Sequence, residues 1–172
     1  MTCKNNSLRS TLYQQRRDKF FISAFSIVRG TVVTMLVLFP SEDDTGTLSN
    51  VAKDFETARY YTIANIIEGT LADTKIKAGY ASPPPPSFWG PALSRMKIQA
   101  VVVNNISPDV EGSIKSSGIK VVKGVTGLVG DAIDWIADVG IDEFEEMINL
   151  KNSKQTVVAA QKSQGQQASS PG

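Results

Sequence analysis

The sequence predicts a mainly α-helical protein with an apolar N-terminal segment, and three observations lead to this fold class. Residues 20–39 carry one charge in twenty positions, so they either span a membrane or are buried in protein. Residues 47–68 and 119–139 carry apolar side chains at the spacing of two amphipathic helices. One short strand region is expected within residues 96–103. The alternative is an α+β fold with an N-terminal hairpin.

Changes in composition divide the chain into six segments. Four consecutive prolines, Pro83–Pro86, favour an extended linker, and the Gln- and Ser-rich C-terminus favours disorder. The predicted segments are a basic N-terminal segment (1–19), a candidate transmembrane anchor (20–39), a helical region (41–81), a Pro-rich linker (82–95), a strand plus amphipathic helical region (96–150) and a disordered tail (151–172).

The candidate anchor is long enough, at 1.5 Å per residue, to cross the hydrocarbon layer of about 30 Å. Six basic residues and one acidic residue occupy positions 1–40, which by the positive-inside rule keeps the N-terminus cytoplasmic. Arg29 would then be an intramembrane charge, and Ser26, Gly30 and Thr34 recur every fourth residue as a helix-packing stripe. The alternative is a buried β-hairpin turning at Arg29-Gly30, because both halves are rich in β-branched and aromatic residues.

Charge and residue inventory exclude several function classes. The body of the chain, residues 41–150, has nine basic and sixteen acidic residues, which argues against nucleic acid as a partner. The sequence contains no histidine, so Ser-His-Asp and Cys-His catalysis are excluded. Its single cysteine, Cys3, allows neither an intrachain disulfide nor a thiolate metal cluster. We therefore expect no enzyme activity, no cofactor and no metal site.

The stretch 119–139 has two interpretations. As a helix, it presents an amphipathic contact face made of Val121, Val122, Val125, Leu128, Val129, Ile133 and Ile136. As a strand, a turn and a helix, its Gly124-x-x-Gly127-x-x-Gly130 spacing resembles the glycine-rich turn of the extended short-chain dehydrogenases. That resemblance covers about a dozen residues and implies a nucleotide-binding fragment. The chain lacks the second strand ending in an acid that this family carries about 20 residues further on.

The acidic residues between 131 and 146 are a further candidate for cation binding. Seven acids and no base occur there, but their spacing does not match the oxygen-ligand pattern of an EF-hand loop. A solvated acidic face is the preferred interpretation.

The function predicted from these features is that of a non-enzymatic, membrane-anchored structural or interaction component of a larger envelope, secretion or virion assembly. Its expected location is a membrane, a virion or an envelope assembly, and its expected partners are the membrane and either further copies of itself or other proteins. Two alternatives remain. One is a soluble structural or coat-type subunit with residues 20–39 as a buried hairpin, and the other is the nucleotide-binding fragment.

Overall fold

Five strands form one mixed sheet in the spatial order β3-β2-β1-β4-β5. The computed structural model describes the backbone of residues 32–164 and the side chains of residues 32–156. Strands β1, β4 and β5 run parallel, while β2 is antiparallel to β1 and β3 is antiparallel to β2. The strands are β1 (Thr34–Ser41), β2 (Tyr60–Ile67), β3 (Thr70–Ala78), β4 (Ala100–Val102) and β5 (Lys120–Val122).

Four α-helices and one 3-10 turn complete the described fold. They are the turn Gly46–Leu48, α1 (Pro86–Arg95), α2 (Pro108–Ser116), α3 (Val129–Val139) and α4 (Ile141–Gln164). Buried side chains of α1 and α2 share one apolar cluster with Leu38 and Val101 of the sheet. Buried side chains of α3 share a second cluster with Phe39 and Val102, which point to the opposite face. Both faces of the central strands are therefore covered by helices.

Strand β1 corrects the largest error of the sequence-based prediction. Thr34–Phe39, the end of the predicted anchor, are not helical: they pair with β2 over the whole strand and with β4 in the middle. Because Val37, Leu38 and Phe39 are each at most 2% exposed, the strand is buried on both faces and reads as an uninterrupted apolar run. The same run of residues is what a membrane helix would need, so apolarity alone could not separate the two.

The fold class is accordingly α+β, so the mainly α prediction is wrong and the α+β alternative describes the protein better. Within residues 32–164, no helix combines the length and the apolarity that crossing a membrane requires. The membrane-anchored role and the membrane localisation were expected from a helix over 20–39, and strand β1 overturns that expectation. The earlier part of the predicted anchor, Phe20–Thr31, lies outside the described residues.

The helix predicted over Thr47–Glu68 is also wrong. The chain there forms the 3-10 turn, an irregular loop over residues 49–59 and then strand β2. Strand β2 is rich in aromatic and β-branched residues, and it is buried on both faces between β1 and β3. Its apolar positions therefore satisfied a helical spacing without belonging to a helix.

The continuous helix predicted over Ile119–Val139 is a strand, a loop and a shorter helix. Strand β5 ends at Val122 and α3 begins at Val129. In the loop between them, Gly124 and Gly127 have φ values of +79° and +97°, which an α-helix does not contain. The second interpretation of residues 119–139, a strand and a helix that flank a glycine-rich turn, describes this arrangement correctly.

Two further segments differ from the structure that their composition predicted. Pro86–Arg95 of the predicted linker form α1, which Pro86 starts because its fixed φ suits the first helical position. Helix α4 continues to Gln164, so the backbone of residues 151–164 in the predicted disordered tail is helical.

Candidate functional site

The carboxyl ends of the parallel strands β1, β4 and β5 lie at one edge of the sheet. From β1 the chain turns to β2 on one side, whereas β4 lies on its other side. In open α/β sheets, ligands bind in the crevice outside the carboxyl ends of the strands at such a change of direction. A cleft of about 380 Å³ lies beside the end of β1, lined by Glu42, Ala52, Lys53, Asp54, Thr57, Ala58 and Arg59.

The floor and the rim of this cleft differ in chemistry. Ala52 and Ala58 are buried and form the floor, where their small side chains leave room. Lys53, Thr57 and Arg59 are exposed on the rim, each between buried or half-buried neighbours. The cleft therefore offers a short apolar base surrounded by charged and polar groups.

The cleft loop, residues 49–59, is held in place by Phe55. This side chain is fully buried, and its ring contacts the rings of Tyr61 and Trp89 edge-on at centroid distances of 5.5 and 4.6 Å. The Tyr61 hydroxyl donates a hydrogen bond of 2.8 Å to the Phe55 carbonyl oxygen. Burial raises the pKa of Tyr61 well above its ordinary value, so the hydroxyl remains a neutral donor.

Backbone hydrogen bonds tie the cleft loop to the strands on either side of the crevice. The amide of Ala52 donates to the carbonyl oxygen of Pro40 in β1 at 2.8 Å. The amide of Phe55 donates to the carbonyl oxygen of Asn105, which follows β4, at 3.0 Å. The loop thus bridges the carboxyl ends of β1 and β4, and the positions of the rim side chains follow from the sheet.

Gly79, directly after β3, closes the far end of the cleft loop. Its amide donates to the carbonyl oxygen of Arg59 at 2.6 Å. A Cβ atom at this position would collide with the carbonyl oxygen of Ala58 and lie 2.9 Å from that of Arg59. Only glycine allows this approach of the two backbones, which fixes Arg59 at the rim.

The charges at the rim are not equally available to a ligand. Asp54 accepts a hydrogen bond of 2.9 Å from the side-chain amide of Asn105, and Glu42 lies 3.5 Å from the side-chain amide of Asn50. Within the described residues, the side chains of Lys53 and Arg59 make neither an ion pair nor a hydrogen bond. The cleft lining thus carries two charges of each sign, and its two cations keep their donors available for a ligand.

A carboxylate just behind the cleft has a structural role. Glu56 accepts hydrogen bonds from the amide and the hydroxyl of Ser107, at 3.0 and 2.6 Å. Ser107 is the N-cap residue of α2, where a negative charge stabilises the exposed amides of the first turn. Glu56 therefore joins the cleft loop to α2.

The glycine loop, residues 123–128, lies at the same edge beyond β5. Two of its amides are used within the protein: Gly124 donates to the Asn104 carbonyl oxygen and Val125 to that of Val103, both at 3.0 Å. At the start of α3, the Val129 amide donates to the Ser49 carbonyl oxygen at 2.9 Å. A loop that held a pyrophosphate would keep such amides for the ligand.

Gly130, the third glycine of the motif, has a packing role. A Cβ atom there would lie 2.9 Å from the Thr47 carbonyl oxygen, so the glycine allows α3 to pack on the 3-10 turn. The spacing that resembles the dehydrogenase turn is thus accounted for by backbone conformation at Gly124 and Gly127 and by close packing at Gly130.

Within the described part of the chain, the site residues predicted from the sequence do not lie at the cleft. Ser26, Arg29 and Gly30 lie outside the described residues, and Thr34 is the exposed first residue of β1, opposite Ile67. Of the predicted contact face, Leu128 is 39% exposed. The other members, Val121, Val122, Val125, Val129, Ile133 and Ile136, are buried in the protein's own core.

Sequence reasoning missed the cleft. The sequence feature that could have indicated the cleft is the abrupt change after Phe39 and Pro40 to the polar run 41–44. Polar residues at the end of a buried strand mark an edge of the sheet. Residues 20–39 before that run were instead interpreted as a candidate membrane anchor. Within the part of the chain that the structure describes, His, Cys, Asp and Glu side chains do not form a group of three or more that could hold a metal ion.

The comparisons with known proteins support the fold. Neither a family model nor a curated protein matches the chain. The solved structure of the protein PH0822 is similar, with a TM-score of 0.54 and 28% identity over 60% of this chain and 90% of that chain.

Two more solved structures have similar backbones at lower identity. The apo form of the orange protein from Desulfovibrio gigas has a TM-score of 0.52 and 16% identity, over 64% of this chain and 92% of that chain. A Thermotoga protein that is named after NifB and assigned to the DUF35 family has a TM-score of 0.50 and 19% identity, over 62% and 90%. At such identities these two structures show a shared α+β fold and nothing about activity.

Proposed function

We propose that this protein is a non-enzymatic binding domain whose cleft beside the end of β1 holds the anionic group of a small ligand. The observation that carries the proposal is the pair of cations on the rim, Lys53 and Arg59, which lack an ion-pair partner within the described residues. Cleft volumes of about 300–1,000 Å³ are typical of small-molecule sites. The cleft is at the lower end of that range, which favours a small ligand.

The arrangement of charges favours a carboxylate or a phosphate over a cation. The two carboxylates at the rim already face side-chain amides, whereas the guanidinium and the ammonium are free to donate. A guanidinium can donate two parallel hydrogen bonds to one carboxylate or phosphate, and an ammonium adds a point charge. Because Glu42 and Asp54 are close by, a ligand with a single anionic group is preferred over a highly charged one.

A binding role rather than catalysis is supported by the residue inventory. The sequence has no histidine, so a general base with an ordinary pKa near neutrality is missing. The rim hydroxyl is that of Thr57, and an exposed Thr without an adjacent base is a weak nucleophile. The cleft thus has groups that bind charge but lacks a pair that would activate a nucleophile.

Isothermal titration calorimetry on the full chain tests the proposal with inorganic phosphate, acetate and citrate as probes. We expect phosphate or acetate to bind and Arg59→Gln to weaken that binding about tenfold, because a hydrogen bond to a charged group contributes about 1.5–3 kcal/mol. Lys53→Gln should weaken it less, since an ammonium offers no bidentate contact.

The matched control is Arg95→Gln, which removes an equally exposed arginine from the last turn of α1. Its affinity should equal that of the unmodified protein. Absence of heat with all three probes, or equal affinity in Arg59→Gln and Arg95→Gln, would contradict the proposal.

A further inference from the structure

The outer edge of β3 is the longest strand edge in the described sheet. Strand β3 has nine residues and stands at the end of the strand order, paired on one side with β2. Within residues 32–164, its other side is not paired with a strand. Unpaired amides and carbonyls along an edge are a template for pairing with another strand.

Charged residues occupy every second position in the second half of β3. Asp73, Lys75 and Lys77 are all exposed and, being two residues apart, stand on one face of the sheet. Ile76, on the opposite face, is 43% exposed. The pairing with β2 is irregular only near Asp73, where Asn65 pairs with Asp73 but Ile66 pairs with Leu71.

We infer that β3 is a self-association surface, at which two copies of this chain pair antiparallel about a twofold axis at Thr74. In that register Asp73 of each copy stands directly opposite Lys75 of the other, which gives two pairs of opposite charge on one face. Directly opposite charges on neighbouring strands stabilise a sheet. The interface is isologous, so one surface patch serves both copies and the assembly closes as a dimer.

The charges also select this register over its neighbours. Moving the axis by one residue places Asp73 opposite its own copy in one direction and Lys75 opposite its own copy in the other. Like charges directly opposite each other are destabilising. Lysines on an edge strand otherwise discourage pairing, so the Thr74 register, in which Lys75 is neutralised, makes the edge selective for a second copy of itself.

Sedimentation velocity on the full chain tests the inference by charge exchange. The unmodified protein should dimerise with rising concentration, and both Asp73→Lys and Lys75→Asp alone should reduce the dimer fraction, because each places like charges opposite each other. The double variant D73K/K75D restores opposite charges and should recover the dimer. An equimolar mixture of the two single variants should form heterodimers, since the two lysines of one variant then face the two aspartates of the other.

Two controls distinguish an effect of strand register on dimerisation from effects of net charge and of misfolding. Asp134→Lys changes the net charge by as much as Asp73→Lys at an exposed site on α3, and it should leave the dimer unchanged. Circular dichroism should show that all variants keep the same secondary structure. A monomer at every concentration, or a dimer that is insensitive to the two single variants, would overturn the inference.

Discussion

Two loops at the same edge of the sheet look alike in their position but differ in what they leave free. The cleft loop follows β1 and contacts the ends of β1 and β4, whereas the glycine loop follows β5. In the cleft loop the backbone is used for anchoring and the charged side chains of Lys53 and Arg59 remain available. In the glycine loop the amides of Gly124 and Val125 are used as well, but the residues between the glycines bring no comparable side chains.

The proposed site therefore depends on which donor groups each loop leaves available to a ligand. The glycine spacing is the more recognisable sequence motif. In the structure, however, the loop contacts the backbone of Asn104 and Val103, and Gly130 packs on that of Thr47. The cleft loop has no recognisable motif, but Phe55 and Gly79 hold it rigidly enough to present two cations. Variants of each loop can therefore test this difference.

The largest effect is expected for Gly79→Ala, which should disturb the cleft loop. The added Cβ would collide with the Ala58 carbonyl oxygen, so the backbone of either strand end must shift. Overpacking of this kind costs about 1–3 kcal/mol, and the backbone contact places Gly79→Ala near the upper end. Chemical denaturation measures the loss, and phosphate affinity should fall with it. Unchanged stability would show that the loop is not held as described.

A smaller effect is expected for Gly127→Ala in the glycine loop. A Cβ atom there would meet nothing within 4 Å, so the cost comes from the φ of +97° alone. A left-handed conformation costs an L-residue about 1–2 kcal/mol. Denaturation should show that loss while phosphate affinity stays unchanged. A variant that loses phosphate binding but not stability would move the site to the glycine loop.

The smallest effect is expected at the ion pairs that anchor the start of the glycine loop. Glu111 lies 2.6 Å from the ammonium of Lys115 and 2.8 Å from that of Lys123, and hydrogen bonds from these two lysines lower the pKa of Glu111. Because the pKa of Glu111 is lower in the folded protein than in the unfolded chain, its carboxylate stabilises the fold at pH values above the unfolded-state pKa. That contribution is lost as the pH falls through the folded-state pKa.

Glu111→Gln should therefore cost about 0.5 kcal/mol at pH 7, because both lysines are half exposed to solvent. The cost should shrink as the pH falls from 7 through the lowered pKa of Glu111, because the carboxylate of the unmodified protein is then protonated. Denaturation curves at pH 7 and at successively lower pH measure the difference. A cost that stays constant with pH would rule out the charge as its origin.

The parts of the fold that could be read from the sequence are those with local causes. The short strand within residues 96–103 is β4, and the glycines at 124 and 127 marked a break that the alternative interpretation described correctly. Strand β1 was expected only in the alternative, as the second half of a buried hairpin, and β2 was not expected, because burial on both faces removes the alternation that identifies a strand. The cleft was missed for the same reason: without β1 as a strand, residues 41–44 had no sheet edge to mark.

A nitrogen-15 NMR titration of the full chain with inorganic phosphate distinguishes anion binding at the cleft loop from binding at the glycine loop. We expect saturable amide shifts at residues 53–59 and at Glu42, with residues 123–130 unchanged. The same titration on Arg59→Gln should need about tenfold more phosphate to reach the same shifts. Saturable shifts confined to residues 123–130, persisting in Arg59→Gln, would contradict the account.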